Sequence, residues 1–199
     1  RPAEVVGLRA ELGAYVETRD TAGATPASFA AQNGHAEVVR LLAELGAEIE
    51  KPNNNGATPA FVAAQEGHLE VVRLLAELGA SVDTPDDNGF TPVYIAAQKG
   101  HLEVVRLLAE RGADVSTPAD DGATRAFVAA AKGHTEVVRL LAEHLANVET
   151  PNNDGATPVY IAAGNGHPEV VRVLAELGAN VNTPSNNGTT PAFITAQNG

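Results

Sequence analysis

Five histidines, His35, His68, His101, His134 and His167, each follow a glycine and step through the chain at an interval of 33 residues. Imidazole is the commonest metal ligand and a proton carrier near neutral pH, so a row of this kind raises the question of a metal centre. The interval argues against one. Equivalent side chains on successive packed helices stand about 8–10 Å apart, whereas zinc holds its nitrogens at about 2 Å, so no two of these rings can share an ion. The expected role is structural, each ring bonding the turn beside it. His144 stands outside the row and reads as an exposed, variable position.

A second row, Arg40, Arg73, Arg106, Arg139 and Arg172, could contact phosphate, but its arginines are flanked by acids: Glu70 lies three residues before Arg73 and Glu77 four after it. Such pairs make a solvated charge stripe worth about 0.2–0.5 kcal/mol each. The turns Asn53-Asn54-Asn55-Gly56 and Asp86-Asp87-Asn88-Gly89 have calcium-loop chemistry but not its spacing. Val62 and Ile95 occupy the place of the glutamate that an EF-hand needs six residues after its glycine. Asn187-Gly188-Thr189 matches a glycosylation sequon and reads as chance. No serine, lysine or carboxylate is set against a base, and the absence of cysteine removes disulfides, thiolate catalysis and cysteine-ligated zinc. The expectation is a protein that is not an enzyme and uses no cofactor or metal.

The net charge of -12 repels phosphate backbones and anionic lipid, which argues against nucleic acid and membrane partners and favours a neutral or basic protein. No run approaches the about 18 apolar residues of a membrane span, and RPAEVVGLRAE lacks the apolar core of a signal peptide, so a soluble, cytoplasmic protein is expected.

The elements that carry these rows follow from the same period. Glycines recur at Gly23, Gly56, Gly89, Gly122, Gly155 and Gly188, and threonines at Thr25, Thr58, Thr91, Thr124, Thr157 and Thr190. Within residues 56–80, GATPAFVAAQEGHLEVVRLLAELGA, Thr58 is an N-cap and Pro59 suits the first helical turn, where its missing N–H costs nothing. Gly67 ends that helix. A second helix follows with an apolar stripe of Val71, Val72, Leu74 and Leu75, and Gly79 supplies its left-handed cap. The stretch from Ala80 to Gly89, rich in Pro, Asp and Asn, reads as a projecting turn.

This pattern resembles the ankyrin repeat over essentially the whole chain. The resemblance implies an all-α ankyrin-repeat solenoid of stacked antiparallel helix pairs with projecting β-turn fingers, whose concave face of fingers and first helices binds partner proteins. The expected organisation is an N-terminal half repeat over residues 1–19, five 33-residue repeats over 20–184 and a C-terminal half repeat over 185–199, with the half repeats as caps. Near-identical units without Cys, Met or Trp are similar to a designed ankyrin repeat protein, a binding scaffold. A natural ankyrin fragment with recently duplicated units, or an unselected scaffold without a partner, would carry the same uniformity.

The chain departs from the family in two ways. Ala60-Phe61, Val93-Tyr94, Ala126-Phe127, Val159-Tyr160 and Ala192-Phe193 stand where leucine and histidine are usual, an alternation of small and large residues expected in the core. The fourth repeat has Ala119 for the turn Asp or Asn, Arg125 for the helix-starting proline and Leu145 for the capping glycine.

Residues that recur in every unit are explained by the fold, so information about a partner lies in those that vary. The expected contact residues are Asn54, Asn55, Asp87, Asn88, Asp120, Asp121, Asn153 and Asp154 at the finger tips, Glu66, Lys99 and Lys132 after the double alanines, and Arg111 before a capping glycine. Phe90, an aromatic where other fingers have alanine or threonine, is the expected anchor, with Lys99, Lys132 and Arg125 forming a basic spot beside it. Polar terminal units and high net charge predict a monomer.

Overall fold

A computed structural model describes residues 16–198. The N-terminal half repeat expected over 1–19 lies outside them as far as residue 15. Two compact units divide the chain at Pro92 and Val93.

Among the described residues there are eleven helices and no strand. The first unit holds α1 (Pro26–Gln32), α2 (Ala36–Glu44), α3 (Pro59–Gln65) and α4 (Leu69–Glu77), and the boundary falls at the start of α5 (Pro92–Lys99). In the second unit lie α6 (Leu102–Glu110), α7 (Arg125–Ala131), α8 (Thr135–Glu143), α9 (Pro158–Gly164), α10 (Pro168–Glu176) and α11 (Pro191–Asn198). Consecutive helices pair, α1 with α2 and α7 with α8, and like helices stack, α1 on α3 and α9 between α7 and α11.

The helix starts are local chemistry. The hydroxyls of Thr58, Thr124 and Thr157 each accept the N–H of the third residue on, Phe61, Phe127 and Tyr160, at 3.2 Å. Each bond satisfies one of the donors that a helix N-terminus leaves orphaned. The double alanines, Ala63-Ala64 and Ala129-Ala130, have no exposed surface, as expected where first helices touch first helices. In α4, Val71, Val72, Leu74 and Leu75 are all buried.

The histidine rings do what their spacing implies. Nε2 of His68 bonds the carbonyl of Gln32 at 2.9 Å, that of His134 the carbonyl of Gln98 at 3.0 Å and that of His167 the carbonyl of Ala131 at 3.2 Å. Each ring ties its helix to the turn of the preceding pair. The arginine row engages the acid three residues earlier, as in Arg73–Glu70 at 3.8 Å, and not Glu77, whereas Arg139 crosses to Glu176 of the next second helix at 3.0 Å.

Leu145 is the one non-glycine residue at positive φ among those described, at 65°. Its N–H still bonds Ala142 O and that of Ala146 bonds Leu141 O, both at 3.0 Å, the pattern that Gly79 and Ala80 make in α4. The cap therefore forms without glycine, at the strain of a left-handed leucine, about 1–2 kcal/mol.

Candidate protein-binding surface

The fingers are built from side chains that fold back on their own loops. Oδ1 of Asn53 accepts the N–H groups of Asn55 and Ala57, that of Asp86 those of Asn88 and Phe90, and that of Asn152 those of Asp154 and Ala156. Ala119 cannot do this, and in its finger Oδ1 of Asp121 accepts the Ala123 N–H at 2.9 Å instead. Fingers are also tied to one another. Asn54 donates from its backbone to Ala22 O at 3.0 Å and from Nδ2 to Thr21 O at 3.2 Å, and Asn153 repeats both bonds on Asp121 O and Asp120 O at 3.0 Å. Asn54 and Asn153, expected as partner contacts, are thus exposed tethers between fingers.

Glutamates at one register add a second tie that sequence reasoning missed. Oε1 of Glu17 accepts the Glu48 N–H at 2.6 Å, that of Glu50 the Ser81 N–H at 2.5 Å, and that of Glu149 the Asn180 N–H at 2.7 Å. Lys51 Nζ also reaches Glu17 Oε2 at 2.9 Å. At Glu17 desolvation would raise the carboxyl pKa, but the Glu48 N–H and the Lys51 ammonium together hold it below the ordinary value. Recurrence at 33 residues was the available signal, hidden because surface glutamates are common.

Of the variable positions, Asn55, Glu66, Asp87, Asn88, Lys99, Arg111, Asp120, Asp121, Lys132 and Asp154 are all exposed. Lys99 and Lys132 come together, lining one shallow depression with Gln98 and His134. Arg125 does not join them. It is 4% exposed, because it occupies the first-turn position where Pro59 and Pro158 are buried, and its guanidinium lies 5.8 Å from the centre of the Tyr94 ring. Burial, with Asp121 adding to it, pushes the Tyr94 hydroxyl up to about 12, while Arg125 acts the other way. Asp114 is held below the usual carboxylate range by the Thr117 hydroxyl, backbone N–H groups and Arg125, against its desolvation. The basic spot is therefore a lysine pair, and Arg125 belongs to the interior.

Phe90 is half-buried, not an exposed ring. Its register is that of Ala57, Ala123 and Ala156, all buried, so the aromatic is partly sunk where the fold expects a methyl group. It lies in the first unit and the lysine pair in the second. The aromatic row is core at Phe61, Tyr94 and Phe127, but Tyr160 is half-buried and Phe193 is 57% exposed.

That change in burial opens a groove of about 420 Å³ in the second unit, which the variable positions alone did not indicate. Phe127, Ala156, Tyr160 and Ile161 line it, with Asn152 and Asp154 from one finger and Ser185, Asn186 and Asn187 from the next. Tyr160 keeps its hydroxyl against Thr189 Oγ1 at 2.8 Å. An apolar floor between two rows of amide and carboxylate groups has the chemistry of a peptide-binding surface: apolar contact for affinity, polar groups for orientation.

A family model described as ankyrin repeats (3 copies) matches residues 6–86, 30–119 and 116–185, which together run without a gap from 6 to 185. The chain belongs to the ankyrin repeat family. Its fold is the all-α solenoid of that family, and ankyrin repeats are in general non-enzymatic modules for protein–protein interaction. No curated protein matches the chain. Among the described residues, no helix of this ankyrin protein is long and apolar enough to cross a membrane.

Proposed function

We propose that this ankyrin protein is an engineered, non-enzymatic scaffold that binds a protein partner through its finger tips and first helices, and that in the second unit the partner lies in the groove over Tyr160 and Ile161. The observation that carries the reading is the groove itself. Second-helix side chains such as Val138, Leu141 and Leu174 are completely buried, whereas Tyr160 and Ile161 remain half-open between two polar fingers. The net charge of -12, with Asp154 on the rim, favours a partner segment that is basic or neutral. Lys99 and Lys132 offer a place for a carboxylate on that segment. The uniformity of the repeats supports an engineered origin.

Selection from a displayed peptide library tests this directly. Peptides selected on the wild-type chain should be depleted in acids and should lose at least several-fold in affinity for Asp154→Arg and for Ile161→Asp. Peptides that bind both variants at full strength would place the interaction elsewhere and refute the groove.

A further inference from the structure

An asparagine followed by glycine is prone to lose its side-chain amide, because the glycine nitrogen can reach the asparagine Cγ with no side chain in the way. Such pairs recur at Asn33-Gly34, Asn55-Gly56, Asn88-Gly89, Asn165-Gly166 and Asn187-Gly188. In each, the glycine N–H is held by the carbonyl three residues back, so the reaction needs the turn to open. The side chains are held unequally. Nδ2 of Asn33 donates to Phe29 O and that of Asn165 to Ala131 O, both at 2.8 Å. Asn187 Oδ1 accepts from the Ser185 hydroxyl at 2.8 Å and from the Thr189 N–H at 2.9 Å. Asn88 is held by a longer bond, Nδ2 to Asp86 Oδ2 at 3.2 Å. Asn55 bonds through its backbone alone, its N–H donating to Asn53 Oδ1 and its carbonyl accepting from the Asp87 N–H; its exposed side-chain amide has no hydrogen-bond partner among the described residues.

The finger that carries Asn55 is also tied less firmly. Asn54, Asn153 and Asn186 each donate twice to the finger before, once from the backbone N–H and once from Nδ2. Asp87 stands at the same register. Its N–H bonds Asn55 O at 3.0 Å, but its carboxylate has no proton to give to the Asn54 carbonyl. With one bond in place of two, the turn at Asn55 opens more often.

From these observations we propose that Asn55 is a spontaneous modification site, at which deamidation rewrites one finger tip of the first unit. The Gly56 nitrogen gives its proton to water and attacks Asn55 Cγ, closing a five-membered imide; the Cγ–Nδ2 bond breaks, and Nδ2 takes up a proton and leaves as ammonia. Water then opens the ring at one of its two carbonyls. Opening at Cγ gives aspartate, one more negative charge, and the register accepts it, since Asp121 and Asp154 stand there in other repeats. Opening at the main-chain carbonyl gives isoaspartate, in which the chain runs through Cγ and gains a methylene before Gly56. That finger has little room for it, because a Cβ on Gly56 would already strike Asp87. The former Asn55 carbonyl becomes part of a carboxylate outside the path of the chain, so the single bond from Asp87 loses its geometry. The proposal is independent of the groove over Tyr160.

The test is to age the full, folded chain at mildly alkaline pH and map its peptides by mass spectrometry with fragment-ion localisation. Asn55 should gain one mass unit first, with ammonia released in step and an isoaspartyl fraction that an isoaspartyl methyltransferase labels. Asn88 should follow, while Asn33, Asn165 and Asn187 lag at least several-fold. In urea the same pairs should convert at similar rates, because only the fold separates them. Asp87→Asn, which supplies the missing amide, should slow Asn55 several-fold and leave Asn33 at its wild-type rate. A folded chain in which Asn55 converts no faster than Asn165 and Asn187 would overturn the proposal, as would a wild-type rate at Asn55 in the Asp87→Asn variant.

Discussion

The second and fourth repeats use the same fold with different local chemistry. In the second, Thr58-Pro59 opens α3 and Gly79 closes α4; in the fourth, Thr124-Arg125 opens α7 and Leu145 closes α8. The cap bonds are alike at both starts and both ends. The side chains between them are equally buried: Leu74 and Leu75 in one, Leu140 and Leu141 in the other. The fourth repeat thus departs from the pattern at its caps and finger and keeps its second-helix core. Departures are tolerated where a hydrogen bond has a substitute donor or acceptor, as when Asp121 stands in for the missing Asx turn of Ala119.

The comparison breaks most visibly in the core. Leu75→Ala and Leu141→Ala should each cost about 2–5 kcal/mol in chemical denaturation, and to a similar extent, because both side chains are completely buried. A much smaller loss at Leu141 would mean that the fourth repeat is loosely packed as well as irregularly capped. Next in size is Arg125→Ala, expected to cost about 1–2 kcal/mol through loss of the buried stem and its stacking on Tyr94. Pro59→Ala, its counterpart in the regular repeat, should cost less. Equal effects at the two positions would show that the arginine contributes no more than a proline there.

Leu145→Gly should stabilise by about 1 kcal/mol, since its side chain is 90% exposed and only the left-handed backbone is relieved. Gly79→Leu should destabilise by a similar amount; a Cβ added there meets nothing, so strain alone decides. The smallest effect concerns Glu17. Because its folded pKa is depressed, its contribution is present above the ordinary carboxylate pKa and is lost as the pH falls through the lower, folded value. Glu17→Gln should therefore lower stability slightly near neutrality and flatten the acid limb of the profile, the variant and the wild-type chain converging once the pH falls below the folded value.

Much of the fold was legible in the sequence because each repeat declares its own boundaries. Thr58, Gly67 and the double alanine Ala63-Ala64 act through backbone geometry and helix contact, which depend on residue type alone. The candidate binding surface was less legible. Arg125 reads as a surface cation, and only the burial of its proline-equivalent neighbours sends it inward. Asn54 and Asn153 read as free amides, yet an amide at a finger tip can tie the next finger as well as meet a partner. Phe90 reads as an anchor by rarity, but its register is a buried one. The groove at Tyr160 depends on how far an aromatic row is covered, which the type of one residue does not reveal.

Hydrogen exchange on the protein with a selected peptide bound tests the central claim, that partners meet the fingers and first helices of the second unit. Protection should rise in residues 152–161 and 185–189 and leave the second-helix backbone around Arg139 and Arg172 unchanged. Protection confined to those second helices, with the groove exchanging as in the free protein, would contradict it.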